Sequence, residues 1–314
     1  MPSDVSRREF LVGVGATIAS ASMGSFVVPP VEAATKNLRM SFSTLGCPAW
    51  NWEKILDFAK QHGFTGVELR GLMGNMDLPT SPEFSPGRIG QSKKDIAARG
   101  LQIASVDTSA YMHDPDPAKH EEQMADSRRF IDLASQLGAP YIRVMGNEVV
   151  GTQDETIARV AKSLRQLGAY AGAKNVTVLL ESHGDFVHAP ALLDILQQAD
   201  SPHVALLWDA HNTYVGGQED PEVTLSRLGK YIRHTHLKDS VTKSGEDHYV
   251  LTGRGTVPVK KQVQLLVDIG YQGYFSYEWE KAWHPDIEEP EIAFPVYAEV
   301  MTGYLKDAYA HRRK

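Results

Sequence analysis

A single cysteine, Cys47, stands in the 314-residue chain, so no disulfide can form within it. Basic residues are not in surplus either. Lys and Arg number 32 against 39 Asp and Glu, the net charge is −7, and the pI is about 5.9. That balance argues against a nucleic-acid surface, which carries a basic field. The apolar run near the N-terminus, Val12 to Val28, is short and interrupted by Gly, Ala and Ser, which disfavours a membrane-spanning anchor. Repeats, low-complexity tracts and long polar linkers are absent from the rest, so no internal domain boundary is visible.

What is present begins with Ser6-Arg7-Arg8-Glu9-Phe10-Leu11, which matches a twin-arginine export signal. The weakly apolar run follows it, and Val31-Glu32-Ala33 offers a small-residue cleavage site before Ala34. Residues 1–34 are therefore expected to be a signal peptide, and residues 35–314 the folded domain. The expected location is the periplasm or another exported compartment, with no stable membrane insertion after cleavage. The twin-arginine route carries folded proteins, which suits an enzyme that takes up a metal before export. Thr44-Leu45-Gly46-Cys47 has the look of a lipoprotein site but lies past Lys36 and Arg39, and Cys47 is expected to be a small packed residue.

Strand and helix patterns then alternate eight times. The strands are expected at 39–44, 66–69, 102–107, 141–145, 176–181, 204–209, 231–237 and 273–278. Trp52, Ile55, Leu56 and Ala59 follow the helical period. So do Phe130, Leu133, Ala134 and Leu137; Leu164, Leu167 and Ala171; and Leu192, Ile195 and Leu196. Gly63, Gly100, Gly138, Gly229 and Gly270 fall near helix ends, where a left-handed cap is wanted. Eight βα units predict an α/β fold, a single-domain (β/α)8 TIM barrel; an open doubly wound sheet is the alternative. Three longer segments, 71–87, 107–118 and 239–258, follow strands and are expected as loops rimming the active face.

Glu181, Asp209, His236 and Glu278 sit at matching points near the ends of the last four strands. In a parallel barrel these ends converge on one face. Three carboxylates and an imidazole meeting there would repel or desolvate one another unless a cation joined them. One divalent metal ion is therefore expected, and the predominance of oxygen ligands favours Mn²⁺, Mg²⁺ or Co²⁺, with Zn²⁺ possible.

The motifs Gly66-Val67-Glu68-Leu69, Leu180-Glu181-Ser182-His183, Trp208-Asp209-Ala210-His211-Asn212, His234-Thr235-His236-Leu237-Lys238-Asp239 and Tyr277-Glu278-Trp279-Glu280 carry a resemblance. Over about residues 38–308 the chain resembles the sugar phosphate isomerase/epimerase family of the xylose-isomerase-like barrel superfamily. In ketose 3-epimerases of that superfamily a Glu, an Asp, a His and a second Glu bind one divalent ion. By motif these map to Glu181, Asp209, His236 and Glu278, and the resemblance implies that Glu181 and Glu278 are the proton-transfer pair. The implied chemistry is deprotonation next to a carbonyl, with metal stabilisation of the enediolate and two carboxylates to remove and return the proton. Inosose dehydratases of the superfamily instead lose a β-leaving group. One departure is that His211 follows Asp209 by two positions where the epimerases and endonuclease IV have a His at three. The acidic charge and the lack of further zinc ligands disfavour endonuclease activity.

Further expected substrate-binding residues are Glu68, Arg143, His183, His211, Lys238 and Arg254. Glu68 would meet a substrate hydroxyl or an arginine. Arg143 would meet substrate oxygens or neutralise Glu68. His183 would orient Glu181 or touch substrate. Lys238 would polarise substrate or serve as an ion-pair partner. Arg254, in Gly253-Arg254-Gly255-Thr256 before a helix, would meet sugar hydroxyls or a carboxylate, at a place where barrels often bind phosphate. Trp50, Trp279 and Trp283 would either pack or wall a sugar face. The expected partner is a small carbohydrate, with a homodimer possible. Three readings compete: an exported isomerase or epimerase, a dehydratase or lyase on a keto-sugar, keto-inositol or oxidised glycoside, and a non-catalytic carbohydrate-binding barrel.

Overall fold

The computed structural model describes residues 38–312; the expected signal segment, residues 1–34, lies outside them. Each of the eight apolar runs becomes a parallel strand. The barrel strands are β1 (Met40–Ser43), β2 (Gly66–Leu69), β3 (Gln102–Tyr111), β4 (Tyr141–Asn147), β5 (Thr177–Gly184), β6 (Val204–Asp209) and β7 (Ile232–Leu237). A hairpin of β8 (Asp239–Lys243) and β9 (Glu246–Val250) intervenes before the last stave, β10 (Phe275–Tyr277). Each strand pairs with the next around the ring, and β10 closes on β1 with Met40 opposite Phe275. That closure confirms the (β/α)8 barrel and excludes the open sheet.

The helices between strands are α1 (Trp52–Gln61), α2 (Ile89–Ala98), α3 (Pro117–Leu137), α4 (Gln153–Gly172), α5 (Ala189–Ala199), α6 (Pro221–Leu228), α7 (Val259–Asp268) and α8 (Pro290–His311). Their starts are chemically marked. The Asn51 side chain accepts from the Lys54 amide ahead of α1, and Thr152 and Glu155 form a reciprocal capping box at α4. Gly63, Gly100, Gly138 and Gly270 adopt the left-handed conformation expected after helices. Gly229 does not: its φ is −51°, because the chain continues from α6 into a 3-10 turn, Gly229–Tyr231.

Side chains alternate across each strand, and the alternation divides the molecule into two unlike interiors. Outward residues such as Val178, Leu180, Leu206 and Trp208 join the helices in one large apolar cluster. Cys47 is buried in that cluster as a packed residue, and burial pushes its thiol well above the usual range. Inside the barrel, among the described residues, one small apolar cluster joins Leu179, Ala205 and Leu207 with Tyr141 against them. Most other buried inward-facing strand residues are polar, among them Ser41, Glu68, Ser105, Asp107, Arg143, Glu181, His234, His236 and Ser276.

Segment 71–87 holds two 3-10 turns, Leu78–Thr80 and Pro82–Phe84, and the other two expected loops contain strand. Segment 239–258 holds the β8–β9 hairpin, turned by Ser244 and Gly245 at φ 53° and 86°. Two consecutive residues with positive φ make the tight turn whose twist matches a hairpin. Segment 107–118 is strand as far as Tyr111, where Tyr111 pairs with Met145 of β4.

Candidate active site

The last four staves bring Glu181, Asp209, His236 and Glu278 together. Asp209 lies opposite His236 in the β6–β7 register, Glu181 lies opposite Leu207, and Glu278 follows the last residue of β10. One ligand atom from each of the four lies within 4.8 Å of all the others, and all four residues are buried. The His236 ring is the hub. Its Nδ1 is 3.0 Å from Glu181 Oε1, 3.2 Å from Glu278 Oε1 and 4.0 Å from Asp209 Oδ2.

Asp209 uses its two oxygens differently. Oδ1 accepts the backbone N–H groups of His211 and Asn212, each at 2.9 Å, and so ties the turn after β6. Oδ2 is left for a cation, and the Lys238 ammonium donates to it at 2.6 Å. The same ammonium donates to Glu278 Oε2 and lies 2.9 Å from Glu280 Oε1. Lys238 is thus an ion-pair partner of the cluster.

A neighbouring layer of the network holds His236 from its other side. Glu68 Oε2 accepts from Ser276 at 2.8 Å, and lies 2.6 Å from His234 Nε2 and 3.1 Å from His236 Nε2. The expected Glu68–Arg143 pair does not form. Arg143 instead lies 3.2 Å from Glu181 and 3.5 Å from Asp107. The reason is register: Arg143 sits on β4, beside Asp107 of β3 on one flank and β5 on the other.

The electrostatics show more negative charge than these cations absorb. Burial, joined by repulsion from Glu278 and Glu181 and only partly offset by Lys238, pushes Asp209 up to about 7. Burial and Glu68 push Asp107 up to about 6 against the pull of Arg143. Burial opposes the ionisation of Glu181 too, but Arg143 and His236 overcome it and bring that carboxyl down to about 2. His236 moves well above its ordinary range: burial works against its charge, and Glu278, Glu68 and Glu181 outweigh it. Glu181 Oε2 makes no well-aligned hydrogen bond, its one close partner being the Arg143 guanidinium at 3.2 Å. A surplus of buried carboxylate, a half-satisfied oxygen and a convergent O/O/N/O donor set fit a divalent cation. This cluster could hold a metal ion.

Above the cluster opens a cavity of about 270 Å³, whose lining includes Arg143, Glu181, His183, Lys238 and Glu278. A larger cavity, about 440 Å³, lies at the other end of the barrel among Arg39, Tyr141, Lys230 and Arg233, away from all four cluster residues. The smaller one has the chemistry, and it sits at the strand C-termini where barrels react. His183 lines it half-buried. His211 is buried with its Nε2 2.9 Å from Ser240 Oγ, and burial, then Lys238, lower it to about 3.

Arg254 is exposed and does not line the cavity. The backbone concavity around it is already filled from within. Asp239 Oδ2 accepts the N–H groups of Gly253 and Gly255, and Oδ1 accepts those of Ser240 and Val257. Trp50 and Trp279 are core residues: Trp50 packs on Phe58 and Phe294, and Trp279 stacks on Tyr277. Trp283 is 52% exposed and lines the cavity.

Sequence reasoning passed over several cavity residues. Arg70 stands one position past β2, Glu280 two past Glu278, and Tyr249 on the unexpected hairpin. The Tyr249 hydroxyl donates to Glu280 Oε1 at 3.0 Å. The available signal for Arg70 and Glu280 was position, since both follow strand ends directly.

Residues 56–294 match the protein family described as xylose isomerase-like TIM barrel. The chain belongs to that family. It is 25% identical over 296 residues to an inosose dehydratase of Clostridium beijerinckii, covering 83% of this chain and 95% of the relative. It is likewise 25% identical over 239 residues to fructoselysine 3-epimerase of Shigella flexneri, covering 70% of this chain and 82% of that one. Among solved structures, L-ribulose 3-epimerase superposes with a TM-score of 0.72 at 18% identity, covering 88% of this chain and 97% of that one. A xylose isomerase-like barrel from Mycobacterium smegmatis, solved in complex with magnesium, gives 0.64 at 18% identity, covering 87% and 98%.

Proposed function

We propose that this barrel is a metal-dependent isomerase or epimerase of a sugar or sugar-like ketone, working by proton abstraction next to a carbonyl. The observation that carries the reading is the buried convergence of Glu181, Asp209, His236 and Glu278, of which Glu181 and Glu278 line a cavity at the strand C-termini. These four would hold one divalent ion, Mn²⁺, Mg²⁺ or Co²⁺ by the hardness of the donor set. Such an ion supplies stabilisation of the negative charge that develops when a proton leaves the carbon beside a carbonyl.

The chain's own residues do the rest. Glu181 and Glu278 are both held ionised by their cationic neighbours, as a proton acceptor must be. Glu181 is oriented by Arg143 and His236, Glu278 by Lys238 and His236. One takes the proton and the other returns it. His183 and Arg143, at the cavity wall, are proposed to bind substrate oxygens, with Glu68 and His211 acting from behind through His236 and Ser240. Asp239 fills the site once expected for Arg254, so no phosphate role is assigned there.

A second reading, elimination of a β-leaving group after the same proton abstraction, is favoured by the likeness to an inosose dehydratase across most of both chains. Incubation with keto-sugars and keto-inositols in D2O separates the two. Solvent deuterium in an isomeric product supports the first, and an unsaturated product supports the second. Absence of both exchange and elimination, with sugar binding that survives chelation, refutes the enzymatic reading. Export through the twin-arginine segment at residues 6–11 is part of the proposal, tested by fractionating cells that express the wild-type chain and Arg7→Lys/Arg8→Lys.

A further inference from the structure

Buried cations around the cavity are paired with carboxylates, with one exception. Arg143 meets Glu181 and Asp107, and Lys238 meets Asp209, Glu278 and Glu280. Arg70 is only 7% exposed and lines the same cavity, yet among the described residues no carboxylate lies within ion-pair distance of it. Its guanidinium donates to Ser109 Oγ at 3.0 Å and makes a weak contact to Met76 Sδ at 3.4 Å. The Trp283 ring, at the cavity rim, has its centroid 6.0 Å from Arg70 Cζ.

A guanidinium taken out of water with a hydroxyl and a thioether for partners is an expensive arrangement. Burial, and then the nearby Arg143, lower its pKa to about 10. The side chain is also firmly based. Its own backbone N–H donates to Thr44 Oγ1 at 2.9 Å, which pins the end of β2. The fork is thus held at the cavity with donors to spare and no anion of the protein to receive them.

We infer that the substrate is a sugar acid whose carboxylate pairs with Arg70, while its carbonyl end faces Glu181, Asp209, His236 and Glu278. This deepens the proposed function and rests on its reading of the cavity as a carbohydrate site. A planar carboxylate matches the guanidinium fork and leaves the Ser109 hydroxyl free to donate as well. A phosphate dianion fits less well. It would bring two charges to one unshared cation, in a cavity that Glu181, Glu278 and Glu280 already make acidic.

The test uses three ligands that differ only at one end: D-fructose, D-fructuronate and D-fructose 6-phosphate, titrated calorimetrically into the full chain loaded with Mn²⁺. A charge-assisted fork is worth about ten- to a hundredfold in affinity. Fructuronate is expected to bind tighter than fructose by that factor. Arg70→Met is expected to erase the difference while leaving fructose affinity alone, and Arg70→Lys to keep part of it. Should Arg70→Met fail to fold, the wild-type ratio and its decline with salt still decide. Equal binding of fructose and fructuronate overturns the inference but leaves the carbohydrate site standing. So does tighter binding of the phosphate, or a fructuronate preference that survives in Arg70→Met. Binding of none of the three overturns both readings.

Discussion

Replacing Lys238 by Met tests whether the ammonium and a metal ion compete for the same oxygens. In the structure Lys238 holds Asp209 Oδ2, the one oxygen of that residue not committed to backbone, together with Glu278 Oε2. Methionine keeps most of the stem and removes the charge. Removing one partner of a buried ion pair costs about 3–5 kcal/mol. At roughly 2–4 °C per kcal/mol for a chain of this size, the metal-free Tm should fall by about 6–20 °C. Metal binding should move the opposite way. A dication and an ammonium about 4 Å apart repel by about 8 kcal/mol at an effective dielectric of about 20, and a flexible lysine escapes most of that by moving. A gain of about 1.4–3 kcal/mol remains, or roughly ten- to a hundredfold in the Kd for Mn²⁺. The assay is calorimetric titration of Mn²⁺ into protein stripped with chelator, paired with scanning calorimetry of the stripped and loaded forms. A correctly folded Lys238→Met protein that binds Mn²⁺ no better than wild type would refute the competition and make Lys238 a supporting element of the metal site.

Three other outcomes are expected. Asp209→Ala should lower the metal content of protein purified without chelator from about one equivalent per chain to near zero, read by elemental analysis; retention of metal would dismiss the quartet as the site. The thermal gain from Mn²⁺ should grow between pH 5 and 8. Asp209, at about 7, and Asp107, at about 6, stand above the unfolded carboxyl value of about 3.9. They therefore stabilise the metal-free fold fully below that value, and the contribution is lost as pH rises through their folded pKa values. Glu181, at about 2, is ionised in both states across that window and adds no slope. Melts with chelator and with Mn²⁺ at four pH values check this, and a gain that shrinks with pH contradicts it. Asp239→Ala should leave the amides of Ser240, Gly253, Gly255 and Val257 without their acceptor and cost about 2–4 kcal/mol. Hydrogen exchange at residues 251–257 should rise, and unchanged protection there would show that the carboxylate is not what orders the segment.

The barrel was legible because its evidence is local and repeated. Each strand is a short apolar run, each helix keeps its period, and four of five helix-end glycines take the left-handed cap. The meeting of Glu181, Asp209, His236 and Glu278 was legible for a related reason: the ends of successive parallel strands must converge, so residues at equivalent ends become neighbours. Partnerships were harder. Whether Arg143 meets Glu68 or Asp107 depends on the β3–β4 pairing, which sets Arg143 directly beside Asp107 and which no run of residues announces. Arg70 is a polar residue one position past a strand, as many strands have, and only its surroundings single it out. The hairpin was hidden because Thr242-Lys243-Ser244-Gly245-Glu246 is polar throughout, and its pairing shows only in the antiparallel register. Asp239 was read as the tail of a histidine motif, whereas it fills a ring of amides contributed from up to eighteen residues away.

The lumen of this barrel holds a small apolar cluster of Leu179, Ala205 and Leu207 with Tyr141, and Met145 at the cavity wall; most of its other buried side chains are carboxylates, imidazoles, hydroxyls or a guanidinium. Cohesion is therefore supplied almost wholly by the sleeve between staves and helices, where the apolar cluster lies. Reaction chemistry and mechanical integrity are lodged in separate compartments that share only a backbone. Descendants of such a chain can exchange one lumen group for another, and so change what the lumen holds, without loosening the casing that keeps them folded.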